Sequence, residues 1–251
     1  MFSQNFCFVI LQARMSSSRC PGKVMAIVNG KPLIEWQIRR IERAKFVNRI
    51  VVATSVDSSD DILAEYLMQI GVEVYRGDLE NVMGRFIGVI REFVPNTVIR
   101  LTGDCPLTMP NLIDEMASNF ESNQYDYMSN AIDPTFPDGL DIEIFKASAL
   151  NRLSKFELSS EEKEHVTLGF LTRKQEFAVG SYKGRKDYSH ERWTVDYPED
   201  LEFMRKIYSK FVGKETQFTM DEILLILKSE PAIVNKISSK FRNNALNRQR
   251  D

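Results

Sequence analysis

Apolar positions in the first part of the chain follow two different rhythms. Four short apolar runs, at 6–11, 50–54, 72–75 and 98–101, have the length of strands that are buried on both faces. Between them, the segments 31–44, 58–70 and 81–93 place apolar residues three and four positions apart, which predicts amphipathic helices. This alternation predicts a Rossmann-like α/β fold, in which a mostly parallel, mixed sheet carries helices on both faces.

The second half of the chain has a different pattern. Helices are predicted at 110–122, 146–155, 160–174, 219–228 and 231–239, and short strands at 125–129, 140–145 and 177–182. The last two strands predict a small antiparallel extension of the main sheet, a kind of insertion that commonly shapes a ligand pocket or a subunit contact. We predict one domain over 1–251, with this extension at about 130–190 and C-terminal helices at 211–251.

Composition and charge narrow the class of protein. The 33 basic and 35 acidic side chains are mixed along the chain, so the net charge of −2 predicts no broad cationic surface for nucleic acid or membrane. Three cysteines at unrelated spacings argue against a disulfide framework or a zinc cluster. Neither a membrane-spanning run nor a signal-peptide pattern is present, and we expect a soluble cytoplasmic protein.

The segment LQARMSSSRCPGK, at 11–23, is polar and cationic and follows the first predicted strand. It combines Arg14, Arg19 and Lys23 with serines and with Gly22, which permits close approach of the backbone. Main-chain N–H groups and cations at such a corner indicate a site for a nucleoside triphosphate. The segment matches neither the P-loop nor the dinucleotide-binding pattern. An ordinary solvated loop is the alternative.

Two aspartates that follow apolar runs are candidate ligands for one magnesium ion. Asp104 follows the strand predicted at 98–101, and Asp196 ends the run 193–195. Because ligands of parallel sheets bind beyond the carboxyl ends of the strands, we expect Asp104 and the loop 11–23 to face one crevice. Magnesium takes oxygen ligands and keeps its remaining positions for water and phosphate. Each aspartate could instead cap a helix, since a proline and a predicted helix follow.

Polar residues of the predicted extension are candidates for contacts with a second substrate. Asp138, Asp141 and Glu143 lie in the segment FPDGLDIE, where the last two share one face of a strand. That face could bind sugar hydroxyls, or it could be a solvated sheet edge. His165 could contact a substrate carboxylate or a phosphate, or it could be a surface or packing residue. Arg192 could pair with an acidic substrate or with a neighbouring glutamate.

Five segments in this order carry a family resemblance: LQARMSSSRCPGKV, LTGDCPL, FPDGLDIEIF, EHVT and RWTVDYPEDLEF. Together they resemble the nucleotide-sugar cytidylyltransferases, and within them the spore-coat polysaccharide SpsF-type branch. The wider family includes the synthetases of CMP-activated octulosonate and nonulosonate sugars. The resemblance implies a GT-A-like nucleotidyltransferase, commonly a homodimer, that transfers CMP from CTP to the anomeric hydroxyl of an acidic keto-sugar in surface polysaccharide synthesis.

The same resemblance implies roles for individual residues. It implies Mg²⁺ as cofactor, bound by Asp104 and Asp196. The catalytic set is Arg14, Lys23, Asp104 and Asp196. Nucleotide contacts are expected from Leu11, Ala13, Arg14, Ser16, Arg19, Lys23, Thr54, Gly77, Arg85 and Asp104. Acceptor contacts are expected from Asp138, Asp141, Glu143, His165 and Arg192. Family members often read GDEP or GDSP where this chain has GDCP, and the sugar-binding segments diverge further, so the acceptor's identity stays open.

Two other functions compete with this hypothesis. A GT-A glycosyltransferase would consume a nucleotide-sugar, but the first half of the chain has no Asp-x-Asp after a predicted strand. A nucleotide-binding scaffold without catalysis would not need Asp104, Asp196, Arg14 and Lys23 together.

Overall fold

A seven-stranded mixed sheet forms the centre of the fold in a computed structural model that describes residues 7–233. In chain order, the strands are β1 (Cys7–Gln12), β2 (Ile27–Val28), β3 (Lys31–Pro32), β4 (Arg49–Ser55), β5 (Glu73–Gly77), β6 (Thr97–Thr102), β7 (Tyr127–Ser129), β8 (Glu143–Lys146) and β9 (Val179–Ser181). The main sheet has the order β5-β4-β1-β6-β8-β7-β9. Strands β2 and β3 pair separately as a hairpin, which confirms the turn that Asn29 and Gly30 predict.

The helices are α1 (Leu33–Ile41), α2 (Asp61–Gln69), α3 (Val82–Phe93), α4 (Pro110–Asn123), α5 (Ala147–Leu153), α6 (Ser160–Glu164), α7 (Leu168–Thr172), α8 (Pro198–Ser209) and α9 (Met220–Ser229). Val9 and Leu11 of β1 belong to a buried cluster with α1, α2, α4, α8 and α9. Ile10, between them, belongs to a second cluster with α3, α5 and α7. Alternate side chains of a strand point to opposite faces, so helices cover both faces of the sheet, as predicted.

The mixed character of the sheet comes from one reversed strand. Strands β5, β4, β1 and β6 are parallel to one another. β8 is antiparallel to both β6 and β7, and β9 is parallel to β7. The predicted extension therefore continues the main sheet. Because β8 has a neighbour on each side, the interpretation of Glu143 as part of a solvated edge strand is wrong. Asp141 lies just before this strand.

Several predicted elements differ from the observed ones. The first two residues of the helix predicted at 31–44 form β3, and the strand predicted at 140–145 begins at Glu143. The helix predicted at 160–174 is two short helices, with a break at 165–167. The run 193–195 lies outside the named strands, although the preceding Arg192 forms an isolated parallel bridge with Asp138. The helix predicted at 231–239 begins as a single 3-10 turn, Pro231–Ile233, and the rest lies outside the described residues. Within 7–233, no helix combines the length and the apolar character needed to cross a membrane.

Candidate active site

The loop after β1 forms one wall of a cavity at the carboxyl end of the parallel strands. Gly22 has a left-handed backbone, with φ 70°, and donates its N–H to the carbonyl of Met15 at 3.0 Å. Because β1 and β6 are parallel neighbours, this loop lies beside the loop that carries Asp104. The cavity between them, called here the phosphate cavity, has a volume of about 300 Å³. Its lining includes Ala13, Arg14, Ser17, Ser18, Arg19, Lys23, Asp104 and Asp196.

The ammonium group of Lys23 lies between the two candidate metal ligands. Its Nζ is 3.3 Å from Oδ2 of Asp104, 3.2 Å from Oδ1 of Asp196 and 2.6 Å from the carbonyl oxygen of Val195. Lys23 is 9% exposed. Burial favours the neutral amine, but the two carboxylates outweigh it and raise the pKa of Lys23 above its usual value. All three N–H groups of the ammonium are therefore committed to protein oxygens.

A main-chain hydrogen bond brings the segments of Asp104 and Asp196 together. The N–H of Val195, which precedes Asp196, donates to the carbonyl of Asp104 at 2.8 Å. Burial alone would raise the pKa of both carboxyls, but the Lys23 ammonium lowers both below their usual values. Neither aspartate is a helix cap, because the N-cap positions of α4 and α8 belong to Met109 and Tyr197. The helix-cap interpretation is therefore wrong.

The donor atoms at this point fit a magnesium ion. The carboxylates of Asp104 and Asp196 both pair with the positively charged ammonium of Lys23. The same pair of negative charges would attract a metal cation. Among the described residues, no group of three or more His, Cys, Asp or Glu side chains is arranged to hold a metal. Magnesium commonly takes only one or two carboxylates from the protein and completes its shell with water and substrate phosphates. Asp104 and Asp196 match that pattern.

Arg19 lies at the mouth of the same site. Its Nη2 donates to Oδ1 of Asp196 at 2.9 Å, and its guanidinium lies over the ring of Tyr197, 5.2 Å from the centroid. The side chain is 41% exposed. Because it keeps this exposure, Arg19 can reach an anionic ligand from the solvent side.

Thr54 acts on the phosphate cavity through another residue. Its hydroxyl donates to Oδ2 of Asp60 at 2.9 Å, and the fully buried Asp60 also accepts from the N–H of Met15 at 2.6 Å. Thr54 therefore helps to fix the loop after β1 to the end of β4. A direct contact of Thr54 with a nucleotide stays a prediction.

Arg85 is a buried cation beside the ends of β4 and β5. It is 1% exposed, and none of its three guanidinium nitrogens has a hydrogen-bond partner among the described residues. Burial and the nearby Arg14 lower the pKa of its guanidinium. Gly77 makes room for it, since a Cβ at that position would lie 2.8 Å from Cγ of Arg85. Leaving a buried guanidinium unpaired is costly, which suggests that a ligand completes its contacts.

Leu11 and Ser16 do not line the phosphate cavity, and neither do Thr54, Gly77 and Arg85. The side chain of Leu11 is fully buried in the core, and its position in β1 is aligned with Val52 and Leu101 of the neighbouring strands. Ser16 is exposed and does not line the cavity, whereas Ser17 and Ser18 do. The sequence of this loop does not show which of the three consecutive serines lines the cavity.

A second cavity, called here the acceptor cavity, adjoins the first and has a volume of about 350 Å³. Four residues line both cavities: Arg19, Thr102, Asp104 and Asp196. The predicted acceptor residues all line the second: Asp138, Asp141, Glu143, His165 and Arg192. His165 is half-buried at the break between α6 and α7, so it is not merely a surface residue.

Glu143 contributes to the acceptor cavity as part of a buried network. It accepts hydrogen bonds from the guanidinium of Arg100, from the hydroxyl of Thr167 and, at 2.7 Å, from the hydroxyl of Tyr127. Burial would raise the pKa of Glu143, but Arg100 and the hydroxyl donors lower it below its usual value. With three protein donors, this carboxylate shapes the wall more than it offers free acceptors.

Arg192 pairs with aspartates, so the suggestion that it pairs with a neighbouring glutamate is wrong. Its guanidinium donates to Asp200 at 2.8 and 3.1 Å and to Asp196 at 3.1 Å. The hydrophobic pattern of the sequence does not single out Asp200. The available signal was its place in the first turn of a helix that begins at Pro198, where a carboxylate can accept main-chain N–H groups.

The chain is similar to several known proteins. A family model described as "Cytidylyltransferase" matches residues 8–226. The spore coat polysaccharide biosynthesis protein SpsF of Bacillus subtilis is 32% identical over 236 residues, which cover 90% of this chain and 96% of that protein. A cytidylyltransferase structure from Leptospira borgpetersenii superposes with a TM-score of 0.87 at 30% identity, covering 92% of this chain and 97% of the other. The 3-deoxy-manno-octulosonate cytidylyltransferase of Geobacter sulfurreducens is 34% identical over 116 residues, 45% of each chain.

Proposed function

The chain belongs to the cytidylyltransferase family, and from that premise we propose that it transfers CMP from CTP to the anomeric hydroxyl of an acidic keto-sugar, with release of pyrophosphate. The observation that carries this proposal is the cluster of Lys23, Asp104 and Asp196, two of whose members line both cavities. A reaction that joins two substrates at phosphorus needs its charged groups at such a junction.

The phosphate cavity supplies the groups that a triphosphate requires. Arg14, Arg19 and Lys23 provide positive charge, and the turn at Gly22 keeps side-chain bulk away from the backbone. Lys23 would exchange its contacts with the two aspartates for contacts with phosphate oxygens. Displacement at the α-phosphorus gains from positioning and charge neutralisation and requires no covalent intermediate with the protein.

The position of Arg85 supports cytosine as the base. The acceptor cavity lies on the β8 and β7 side of the phosphate cavity, which leaves the ends of β4 and β5 for the base. Arg85 lies at those ends with its planar set of donors unpaired by the described residues. Cytosine presents two adjacent acceptors, O2 and N3, whereas uracil carries a hydrogen at N3. A guanidinium that donates to both atoms therefore favours CTP over UTP.

We further propose that Asp104 and Asp196 hold the divalent cation and that Mg²⁺ is the ion used. When bound, Mg²⁺ neutralises phosphate charge and lowers the pKa of a bound hydroxyl. Asp104 and Asp196 would be the protein ligands of this ion, and Arg19 donates a hydrogen bond to Oδ1 of Asp196. No strong protein base is then required for the acceptor hydroxyl.

The acceptor cavity supports a sugar with several hydroxyl groups. Its wall combines carboxylates with the hydroxyls of Ser129, Thr167 and Thr194, and the buried hydroxyl of Thr194 has no hydrogen-bond partner among residues 7–233. Arg19 and His165 line the same cavity and would bind an acidic group. The partial similarity to an octulosonate cytidylyltransferase supports a keto-acid, and the SpsF similarity supports a role in surface polysaccharide synthesis. We also propose a cytoplasmic homodimer.

A screen for pyrophosphate release tests this function. The four nucleoside triphosphates are crossed with a panel of keto-sugar acids in the presence of Mg²⁺. We expect release only when CTP and an acidic keto-sugar are both present. If no combination releases pyrophosphate while a nucleotide-sugar is consumed, the protein is a glycosyltransferase instead. Light scattering in solution tests the homodimer.

A further inference from the structure

We propose that Asp200 is a positioning residue for the reaction, and that it acts with Arg192 to fix the orientation of Asp196. This inference rests on the proposed function, because it takes Asp196 as a ligand of the divalent cation. Asp200 itself lines neither cavity. Its effect on the reaction therefore passes through Asp196.

Asp200 holds the main chain of Asp196. It is fully buried in the first turn of α8. Its Oδ2 accepts the N–H of Asp196 at 2.8 Å and the N–H of Tyr197 at 2.9 Å. Because two main-chain N–H groups donate to one carboxylate oxygen, the direction in which the chain enters the helix is fixed, and with it the direction of the Asp196 side chain.

Arg192 holds the side chain of the same residue. Its Nη1 donates to Oδ1 of Asp200 at 2.8 Å, and its Nη2 donates to Oδ2 of Asp200 and to Oδ2 of Asp196, both at 3.1 Å. One oxygen of Asp196 is therefore fixed by Arg192, while Oδ1 faces Lys23 and Arg19. The Arg192–Asp200 pair controls both the backbone and the rotation of the carboxylate.

Stability alone is a poor explanation for this pair. Arg192 is 6% exposed and Asp200 is fully buried, and replacing a buried ion pair by apolar side chains is often neutral or stabilising. Groups that orient a metal ligand, in contrast, typically change metal affinity or activity by about 10–100-fold when they are mutated. The contacts of Arg192 and Asp200 with Asp196 indicate that this pair is one of the groups that orient a metal ligand.

The chain contains a matched control at α6. Glu162 occupies the same position in its helix, accepts the N–H of Ser159 at 3.0 Å and pairs with the guanidinium of Arg173. It is 7% exposed and lines neither cavity. Glu162→Gln removes a similar cap and a similar ion pair at a place that does not contact Asp196.

The test uses Mn²⁺ as the probe, because its binding can be followed by electron paramagnetic resonance in the presence of CTP. Three full-length variants are compared with the wild type: Asp200→Asn, Arg192→Lys and Glu162→Gln. We expect Asp200→Asn and Arg192→Lys to weaken Mn²⁺ binding about 10–100-fold. In steady-state assays of Asp200→Asn, whose altered residue lines neither cavity, kcat should fall while the KM for the acceptor changes little. Glu162→Gln should lower the melting temperature but leave the Mn²⁺ affinity unchanged.

The possible results separate this inference from the proposed function. A folded Asp200→Asn variant that binds Mn²⁺ and CTP as tightly as the wild type overturns the positioning role. If Asp200→Asn does not fold, Arg192→Lys decides, because it keeps the buried charge but loses the planar contact with both aspartates. A wild-type protein that binds no Mn²⁺ in the presence of CTP overturns the proposed function as well.

Discussion

Asp104 and Asp196 share one cation, although they are far apart in the chain: the ammonium of Lys23 lies 3.3 Å from the first carboxylate and 3.2 Å from the second. The same two carboxylates are those that we propose as ligands of a divalent ion. Lys23 and the metal would therefore compete for one position. A bound triphosphate would end this competition, because it would give Lys23 new partners.

The first prediction concerns this competition. Lys23→Met removes the ammonium from between the carboxylates, so the affinity for Mn²⁺ in the absence of nucleotide should rise by about tenfold or more. The affinity for CTP should fall. Both are measured by titration, with electron paramagnetic resonance for Mn²⁺ and calorimetry for CTP. Arg19→Met is the matched control, because it removes a more exposed cation that pairs with Asp196 and not with Asp104. An Mn²⁺ affinity no higher than in the wild type contradicts the competition.

The second prediction concerns Asp104. Asp104→Asn keeps the shape of the side chain but removes its charge, and turnover should fall more than about 100-fold, beyond the usual effect of supporting residues. Its melting temperature should stay close to that of the wild type. Asp114→Asn is the control, because Asp114 accepts the N–H groups of Lys45 and Phe46 and lines neither cavity. Pyrophosphate release measures turnover, and wild-type turnover in Asp104→Asn would exclude it as a metal ligand.

The third prediction concerns Arg85. The buried guanidinium of Arg85 has no hydrogen-bond partner among the described residues. Arg85→Met should therefore leave the free energy of unfolding unchanged or raise it by about 1 kcal/mol. The same change should weaken CTP binding and reduce the preference for CTP over UTP. Urea denaturation gives the stability, and calorimetric titration with both nucleotides gives the binding. Unchanged affinity and preference would remove Arg85 from the nucleotide site.

The fourth prediction concerns the pH dependence of stability. Hydrogen bonding from Arg173 lowers the pKa of Glu162 to about 2 from the ordinary value of 4.5. A depressed pKa in the folded state stabilises the protein above the unfolded-state value, and this contribution is lost as pH falls from about 4.5 towards about 2. Glu162→Gln should therefore reduce the pH dependence of the free energy of unfolding in that interval. Urea denaturation at several pH values measures it, and an identical slope in both proteins would contradict the assignment.

Much of the fold could be predicted because its core strands carry continuous apolar runs. Val9, Ile10 and Leu11 go to the two buried faces of the sheet as that pattern requires. The break at 165–167 could not be predicted, because Thr167 leaves the helical pattern to contact Glu143, which is distant in the chain. Local pattern gives no information on such long-range hydrogen bonds.

The charged residues that line the candidate site could be predicted from the sequence. The residues that hold them in position could be predicted less well. Lys23 and Asp104 could be assigned because each follows a buried strand at the same edge of the sheet. The partner of Arg192 was missed because Asp200 lies eight residues further along the chain, beyond the immediate sequence neighbours. Supporting contacts of this kind depend on how a loop enters a helix, which hydrophobic periodicity does not encode.

The central claim, transfer of CMP to a sugar hydroxyl, is tested most directly by ³¹P nuclear magnetic resonance of the reaction mixture. The wild-type protein is incubated with CTP, Mg²⁺ and the acidic keto-sugar that gives pyrophosphate release in the screen. Our account predicts that the α-phosphorus of CTP appears as a phosphodiester to the sugar while the β- and γ-phosphorus atoms appear as pyrophosphate, and that Asp104→Asn produces neither signal. Formation of CDP and inorganic phosphate, or of pyrophosphate with free CMP, would contradict it.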